Sequence, residues 1–325
     1  MKRTVKCFGV IMMLAVLVSI SFLLDQRYQI FNVVFSEQNF SPREKLASKI
    51  PTAVMLWESN GIVKASALKR WKPVTLTQGE NPRWSPDGQQ FVFTMNNDVW
   101  LMRIDLAPPV KIIENVVTEY GTGAYWSETG DGIVAIKRQN PQQVIKLKLA
   151  SGKLSLIHDE GQPPYRGYPL SQGADLRFQG RYLLTFTIGE GHRSMIVDLT
   201  GKKYITNKLM LAGDCGPAWS PDGRFIIATR RGRYMTARPL YKSDFDGATG
   251  QLSPSEYFIG LGRCGNAAVS NDSAYVVYAS AGNIYCWNVE QTVKEPCHGV
   301  QLTFDGHNDG PSLFIYPGKI PSVFR

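Results

Sequence analysis

The chain has 325 residues, 43% of them hydrophobic, and a formal net charge of +9. That length buries a sizeable core, and that composition excludes a disordered chain and a multi-span membrane protein. The positive excess is diffuse, with no Lys/Arg stripe interleaved with aromatics, which excludes nucleic acid as the expected partner.

Residues 1–6 are a basic tail carrying Lys2, Arg3 and Lys6. Residues 7–24, "CFGVIMMLAVLVSISFLL", hold no charge and reach the lower length limit of a membrane-crossing helix. Charge before the run puts the N-terminus in the cytoplasm. The expected location is therefore a cell membrane, crossed once, with the rest of the chain on the extracytoplasmic (periplasmic) side. Secretion after cleavage near Ser19 and Ser21 is the alternative. Residues 25–50 form a linker, in which Ser41 to Ile50 alone has a helical pattern.

From residue 51 onward the sequence reads as short strands separated by turns. "NPRWSPDGQQFVFT" (Asn81 to Thr94) and "GPAWSPDGRFIIAT" (Gly216 to Thr229) are near copies. Ser-Pro-Asp-Gly has the residues of a tight turn, and an apolar strand follows it. Weaker copies begin at Gly123, Gly167, Asn266 and Gly310. Taking the Trp or its substitute as the marker gives positions 84, 126, 170, 219, 269 and 313. The steps of 42 to 50 residues match one four-stranded propeller blade. Residues 52–77 supply three strands, and "GPSLF" at the C-terminus supplies the missing fourth. The expected fold is all-β: a six-bladed β-propeller of four-stranded blades, closed by pairing the C-terminal strand with the first blade, over residues 51–325. In this reading Trp84 and Trp219 pack between blades, and Asp87 and Asp222 hold turns.

The W-S-P-D-G repeat before an apolar strand resembles the PD40 (WD40-like) repeat of TolB-like β-propellers, over residues 51–325. The resemblance implies an envelope-located propeller. TolB itself carries a further α/β domain before its propeller, so only the propeller is similar.

Four cysteines follow the apolar run. Cys286 and Cys297 flank one short hairpin-like stretch, which leaves Cys215 with Cys264, and an oxidising compartment would join each pair. Four buried thiols are the alternative.

Chemistry is sparse. No G-x-S-x-G elbow occurs. His158, His192 and His298 lie in turn-like contexts and are expected on the solvated surface. The stretch "FDGHNDGPS" offers Asp305, His307, Asn308 and Asp309 as weak Ca²⁺ candidates; otherwise no metal or cofactor is expected. Glu80, Asp214 and Asp309 are the carboxylates ahead of inner strands. Arg230, Arg231, Arg233 and Arg238, with Lys242, form the densest basic cluster, either a solvated hairpin tip or a contact for acidic protein, glycan or lipid. Asn39 and Asn271 begin glycosylation sequons.

The expected function is protein–protein interaction or scaffolding, without catalysis. Its surface is the rim of loops preceding the inner strands: Glu80, Asn81, Tyr120, Tyr165, Arg166, Asp214, Arg263, Asn266, His307, Asn308 and Asp309. The alternative is a lyase or hydrolase acting on a glycan or peptide in the funnel. A third reading is an inert module of a larger envelope assembly.

Overall fold

The computed structural model describes residues 40–118, 123–139, 142–159, 170–187, 193–201, 203–205, 217–229, 239–254, 256–259, 264–291 and 298–325. The apolar run 7–24 lies outside them. Among the described residues no helix is long and apolar enough to cross a membrane.

One helix, α1 (Phe40–Lys49), occupies the stretch with the helical pattern. Pro42 sits in its first turn, where the missing N–H costs nothing. Leu46–Arg325 is a compact unit. Leu46, Ala47 and Ile50 are buried there in one apolar cluster with Met55, Trp57 and Tyr275.

Among the described residues the strands form six antiparallel sheets, one per blade. Blade 1 holds β1 (Ala53–Ser59), β2 (Ile62–Ala67) and β3 (Val74–Gln78). Blade 2 runs through β4 (Glu80–Trp84), β5 (Gln90–Met95), β6 (Asp98–Arg103) and β7 (Val110–Ile113). Blade 3 runs through β8 (Tyr125–Trp126), β9 (Gly132–Lys137), β10 (Gln143–Lys148) and β11 (Lys153–Asp159). Blade 4 comprises β12 (Leu170–Arg177), β13 (Tyr182–Thr187), β14 (Arg193–Asp198) and β15 (Lys203–Ile205).

Blade 5 comprises β16 (Ala218–Trp219), β17 (Phe225–Thr229) and β18 (Leu240–Asp246), with β19 (Gln251–Leu252) and β20 (Glu256–Ile259) both pairing β18. Its outer strand is thus split around Pro254, which has no N–H for a ladder. Blade 6 comprises β21 (Cys264–Val269), β22 (Tyr275–Ser280), β23 (Asn283–Asn288) and β24 (Val300–Gln301). Last comes β25 (Asn308–Ile315), which pairs β1 from Ala53↔Ile315 to Ser59↔Asn308.

That pairing makes β25 the inner strand of blade 1 and closes the ring, as the sequence predicts. Each inner strand contacts the next: β4 with β8, then β12, β16, β21, β25 and β4 again. The joint is further held by Asn271, whose side chain bonds both the N–H and the carbonyl of Ile315 at 2.7 and 3.0 Å. Its amide is fully engaged in the fold, so this sequon is explained without a glycan.

Strand-forming residues follow from the alternation along each inner and second strand. Phe91 and Phe93 of β5 bury on one face, towards blade 1, and Val92 on the other, towards blade 3. Trp84 packs with Leu56 and Phe314 of blade 1, and Trp219 with Tyr182 of blade 4. Both are inter-blade residues, as expected. In the turn, Ser85 Oγ donates to the Gln90 carbonyl and accepts the Gln90 N–H at 3.1 Å. Asp87 accepts the Gln89 N–H at 3.0 Å. Ser127, Ser220 and Ser270 likewise each accept the N–H of the residue five positions on. Gly88, Gly130 and Gly223 adopt positive φ at the fourth turn position, and Ser273 takes that conformation in blade 6.

Blade 4 requires a correction. Its marker is Leu176, which pairs Leu183 just as Trp84 pairs Phe91, not Leu170. The repeat is displaced there because Arg177, Phe178 and Gln179 replace Ser-Pro-Asp. The Phe178 ring makes the turn's anchor instead, lying within 6.0 Å of Tyr182, Trp219 and Phe245.

The closing joint is the most aromatic part of the ring. Phe314 sits 6.0 Å from Trp84 and 4.7 Å from Tyr316 between ring centroids. Phe314→Ala is expected to cost about 3–5 kcal/mol of unfolding free energy by urea titration, from cavity formation at a 3% exposed site. Phe304→Ala, at a 36% exposed site, should change it by less than about 0.5 kcal/mol.

Candidate functional site

Inner strands start at the rim and end at the Ser-Pro-Asp-Gly turn, so each lends residues to both ends of a central channel. In four of them the ladder is interrupted by a bulge, between Glu80 and Arg83, Gln172 and Asp175, Gly265 and Ala268, and opposite Leu56 and Glu58. Asn81, Asn266 and Gly310 occupy equivalent bulge positions with φ of 53°, 44° and 51°. Bulges re-aim the residues that follow them. A Cβ on Gly310 would lie 3.3 Å from the Asn81 Cα, so blades 1 and 2 meet backbone to backbone there.

At the rim, Glu80, Asp305 and His307 are exposed, while Asn81, Asn266 and Asn308 are buried. Asn81 donates to Thr94 Oγ1 at 3.2 Å. Asn308 accepts the Trp57 indole N–H at 3.0 Å and donates to the Asp305 carboxylate. Asp309 accepts from Asn266 at 2.7 Å and from the Gly310 N–H at 2.8 Å. Glu58 is half-buried beside them; burial pushes its carboxyl up, Asp309 and Glu80 add to this, and the Gly61 N–H and Lys64 oppose it.

The rim residues that the sequence singles out therefore divide. Asn81, Asn266, Asn308 and Asp309 hold the strand starts in place, and Glu80 and His307 face solvent. The Ca²⁺ candidates do not assemble: among the described residues no group of three or more His, Cys, Asp or Glu side chains forms a metal site. Tyr120, Tyr165, Arg166, Asp214 and Arg263 lie outside the described residues, as do Arg230, Arg231, Arg233 and Arg238.

Cys215 and Cys297 lie outside them too. Their expected partners, Cys264 and Cys286, are buried in blade 6. Burial pushes the Cys264 thiol up to about 11, against a bond with Ser280, and raises Cys286 further.

Two histidines differ from expectation. His158 and His298 are half-buried, and burial lowers both below the usual imidazole range. His298 stacks on Tyr285 with ring centroids 4.7 Å apart, which is why it leaves the solvated surface. His192 lies outside the described residues.

The other end of the channel holds a feature that motif reading misses. The residue just before each marker faces the channel, and around the ring these are Arg83, Tyr125, Asp175, Ala218, Ala268 and Ser312. They line a cavity of about 160 Å³. Blades 2 to 4 give it a polar wall and blades 5, 6 and 1 a small-residue wall. Asp175, 5% exposed in its side chain, accepts Arg177 Nε at 2.9 Å and Nη2 at 3.4 Å. Burial raises the Asp175 carboxyl, while Arg177, Arg83 and the Trp219 backbone N–H pull it back. Arg83 donates to the Pro311 carbonyl at 3.0 Å and lies 5.7 Å from the Tyr125 ring centre. Burial raises the Tyr125 phenol, with Arg83 opposing. The signal available in the sequence was the column preceding the markers, legible only once blade 4 is aligned on Leu176.

No family model matches the sequence, and no curated protein matches it at a significant level. Solved structures do match in fold. TolB from Acinetobacter baumannii superposes with a TM-score of 0.57 and 12% identity, over 81% of this chain and 67% of that one. A nidogen/laminin complex chain gives 0.58 and 11%, over 81% and 99%. An oligogalacturonate lyase from Vibrio parahaemolyticus gives 0.48 and 14%, over 76% and 74%. The described fold is thus the TolB-like six-bladed propeller.

Asp175→Asn leaves the Arg177 guanidinium without its carboxylate and is expected to cost about 3–5 kcal/mol in chemical denaturation. Replacing Asp175 and Arg177 together with leucine should recover most of that loss. His298 gives a pH test. Its lowered value means the unfolded chain binds its proton more readily. Its contribution is fully present above the ordinary value of about 6.5 and declines as pH falls below it. Melting temperatures measured from pH 8 to pH 5 should fall less steeply in His298→Phe than in wild type.

Proposed function

We propose that the chain is a protein-binding module of the cell envelope. Residues 7–24 act as a signal anchor, and the propeller, built of PD40-type repeats, stands on the extracytoplasmic side. It engages a protein partner through the rim, with no reaction of its own. The observation that carries this reading is the rim's division of labour: buried Asn81, Asn266 and Asn308 fix the strand starts, leaving Glu80, Asp305, His307 and the 36% exposed Phe304 displayed on a rigid frame. A rigid polar surface with an apolar side chain suits docking, because little side-chain ordering is lost on binding. One fold relative is itself a protein–protein complex.

The enzyme alternative requires carboxylates converging with a histidine or metal in the funnel. Asp305 and Asp309 are instead spent on Asn308 and Asn266.

Photo-crosslinking residues introduced at Glu80 and His307 in the full-length protein, in intact cells, are expected to yield a discrete adduct. The same residue at exposed Lys153, on the outer strand of blade 3, should yield none. Equal or absent adducts at all three positions would remove the rim as the docking face and leave an inert structural module.

A further inference from the structure

We propose that the turn end of blade 1 docks on an anionic membrane surface, with the rim directed away from it. This rests on the signal anchor inferred above for residues 7–24.

Three segments meet at that end of the blade. Residues 46–52 lead from α1 into β1, residues 68–73 join β2 to β3, and residues 316–325 follow β25. Backbone bonds tie them together. The Leu68 N–H donates to the Ala53 carbonyl at 3.0 Å, and the Tyr316 N–H to the Thr52 carbonyl at 3.3 Å. These segments carry Lys49, Lys69, Arg70, Lys72, Lys319 and Arg325, and no Asp or Glu. All six basic side chains are exposed.

Their lack of partners sets them apart. Other blades match the cations near their turns: Arg103 meets Asp105, Lys146 meets Asp131 and Arg224 meets Asp222. Among the described residues none of the six at blade 1 forms an ion pair. The flanking turns of blades 2 and 6 bring Asp87 and Asp272, and the connection after β23 brings Glu290. Asp87 accepts Ser85 Oγ and the Gln89 N–H, and Asp272 accepts Ser270 Oγ and the Ala274 N–H. With all three acids counted, positive charge is still in excess.

The densest part, Lys69 to Lys72, is displayed on a fixed backbone. Buried Ser66 accepts the Lys72 N–H at 2.9 Å, and Trp71 stacks on Trp57 with ring centroids 5.4 Å apart. Little backbone order is then lost when the loop meets a charged surface. Clustered, unmatched Lys and Arg attract anionic headgroups, and arginine suits their phosphates.

The path of the chain selects a membrane over a soluble acidic partner. Only fifteen residues, 25–39, separate the apolar run from α1. Such a length spans at most roughly 50 Å. The chain then enters the propeller past Lys49, inside the patch. An anchor so close to the patch keeps headgroups at high effective concentration.

The test uses full-length protein reconstituted into vesicles of phosphatidylcholine alone or of an equimolar mixture with phosphatidylglycerol. A photo-crosslinking residue replaces exposed Pro73, leaving all six cations in place, and a second one at Glu80 reports on the rim. Pro73 should give lipid adducts at least about ten-fold more abundantly in the mixed vesicles, and high salt should remove the difference. Glu80 should give no lipid adduct in either. Lys69→Glu/Arg70→Glu/Lys72→Glu, with its fold checked by circular dichroism, should bring the Pro73 yield down to the phosphatidylcholine level. Equal yields at Pro73 in the two vesicles, or equal lipid adducts at Glu80, would overturn the proposal in the wild-type background alone. Co-flotation reads the anchor separately. Protein that floats with phosphatidylcholine but shows no composition-dependent adduct keeps its anchor and loses the patch. Protein that floats only with the mixed vesicles keeps the patch and loses the anchor, and protein that floats with neither loses both.

Discussion

Every feature of this ring depends on one strand pairing. The backbone groups of β1 on its inner side would be an open sheet edge were β25 not laid along them. The two segments are separated by nearly the whole propeller in sequence, so their union carries a large loop-closure entropy. The aromatic cluster around Trp84, Phe314, Tyr316 and Phe324 offsets it with apolar burial at that joint. Gly88 belongs to the same device. Its φ of 67° suits glycine, and a Cβ there would run into the Phe314 ring. The turn of blade 2 and the closing strand of blade 1 are thereby fitted to each other.

The repeat was legible because it is written in turn chemistry. A Ser that bonds its own turn backbone and an Asp beside it are needed wherever that tight connection recurs, and the spacing then counts the blades. Asn271 shows the limit of local reading. It resembles a sequon, yet its amide clamps β25 to blade 6, a contact across 44 residues that no tripeptide reveals. His298 shows the same limit. Its turn-like surroundings indicate solvent, whereas the Tyr285 ring, brought beside it by the hairpin of blade 6, covers one face.

Blade 4 was misaligned for a physical reason. Arg177 stands where blades 2, 3, 5 and 6 carry Ser, and Phe178 and Gln179 both adopt positive φ, giving a turn of another type. The local rule is broken, and the tertiary packing of Phe178 against Trp219 compensates. The same substitution that hides the repeat brings Arg177 beside Asp175. Departure from the repeat and chemistry in the channel are therefore one event in this sequence.

The six channel positions also separate what the fold needs from what it tolerates. Geometry makes them equivalent, and blades 5, 6 and 1 fill theirs with Ala218, Ala268 and Ser312, so small residues satisfy the ring. Burying Asp175 beside two arginines is not required for closure, and buried ion clusters seldom stabilise more than apolar replacements of similar volume. The rim carboxylates differ in kind: Asp309 holds Asn266 of the neighbouring blade and the Gly310 N–H of its own bulge, so its charge is already used by the strand starts.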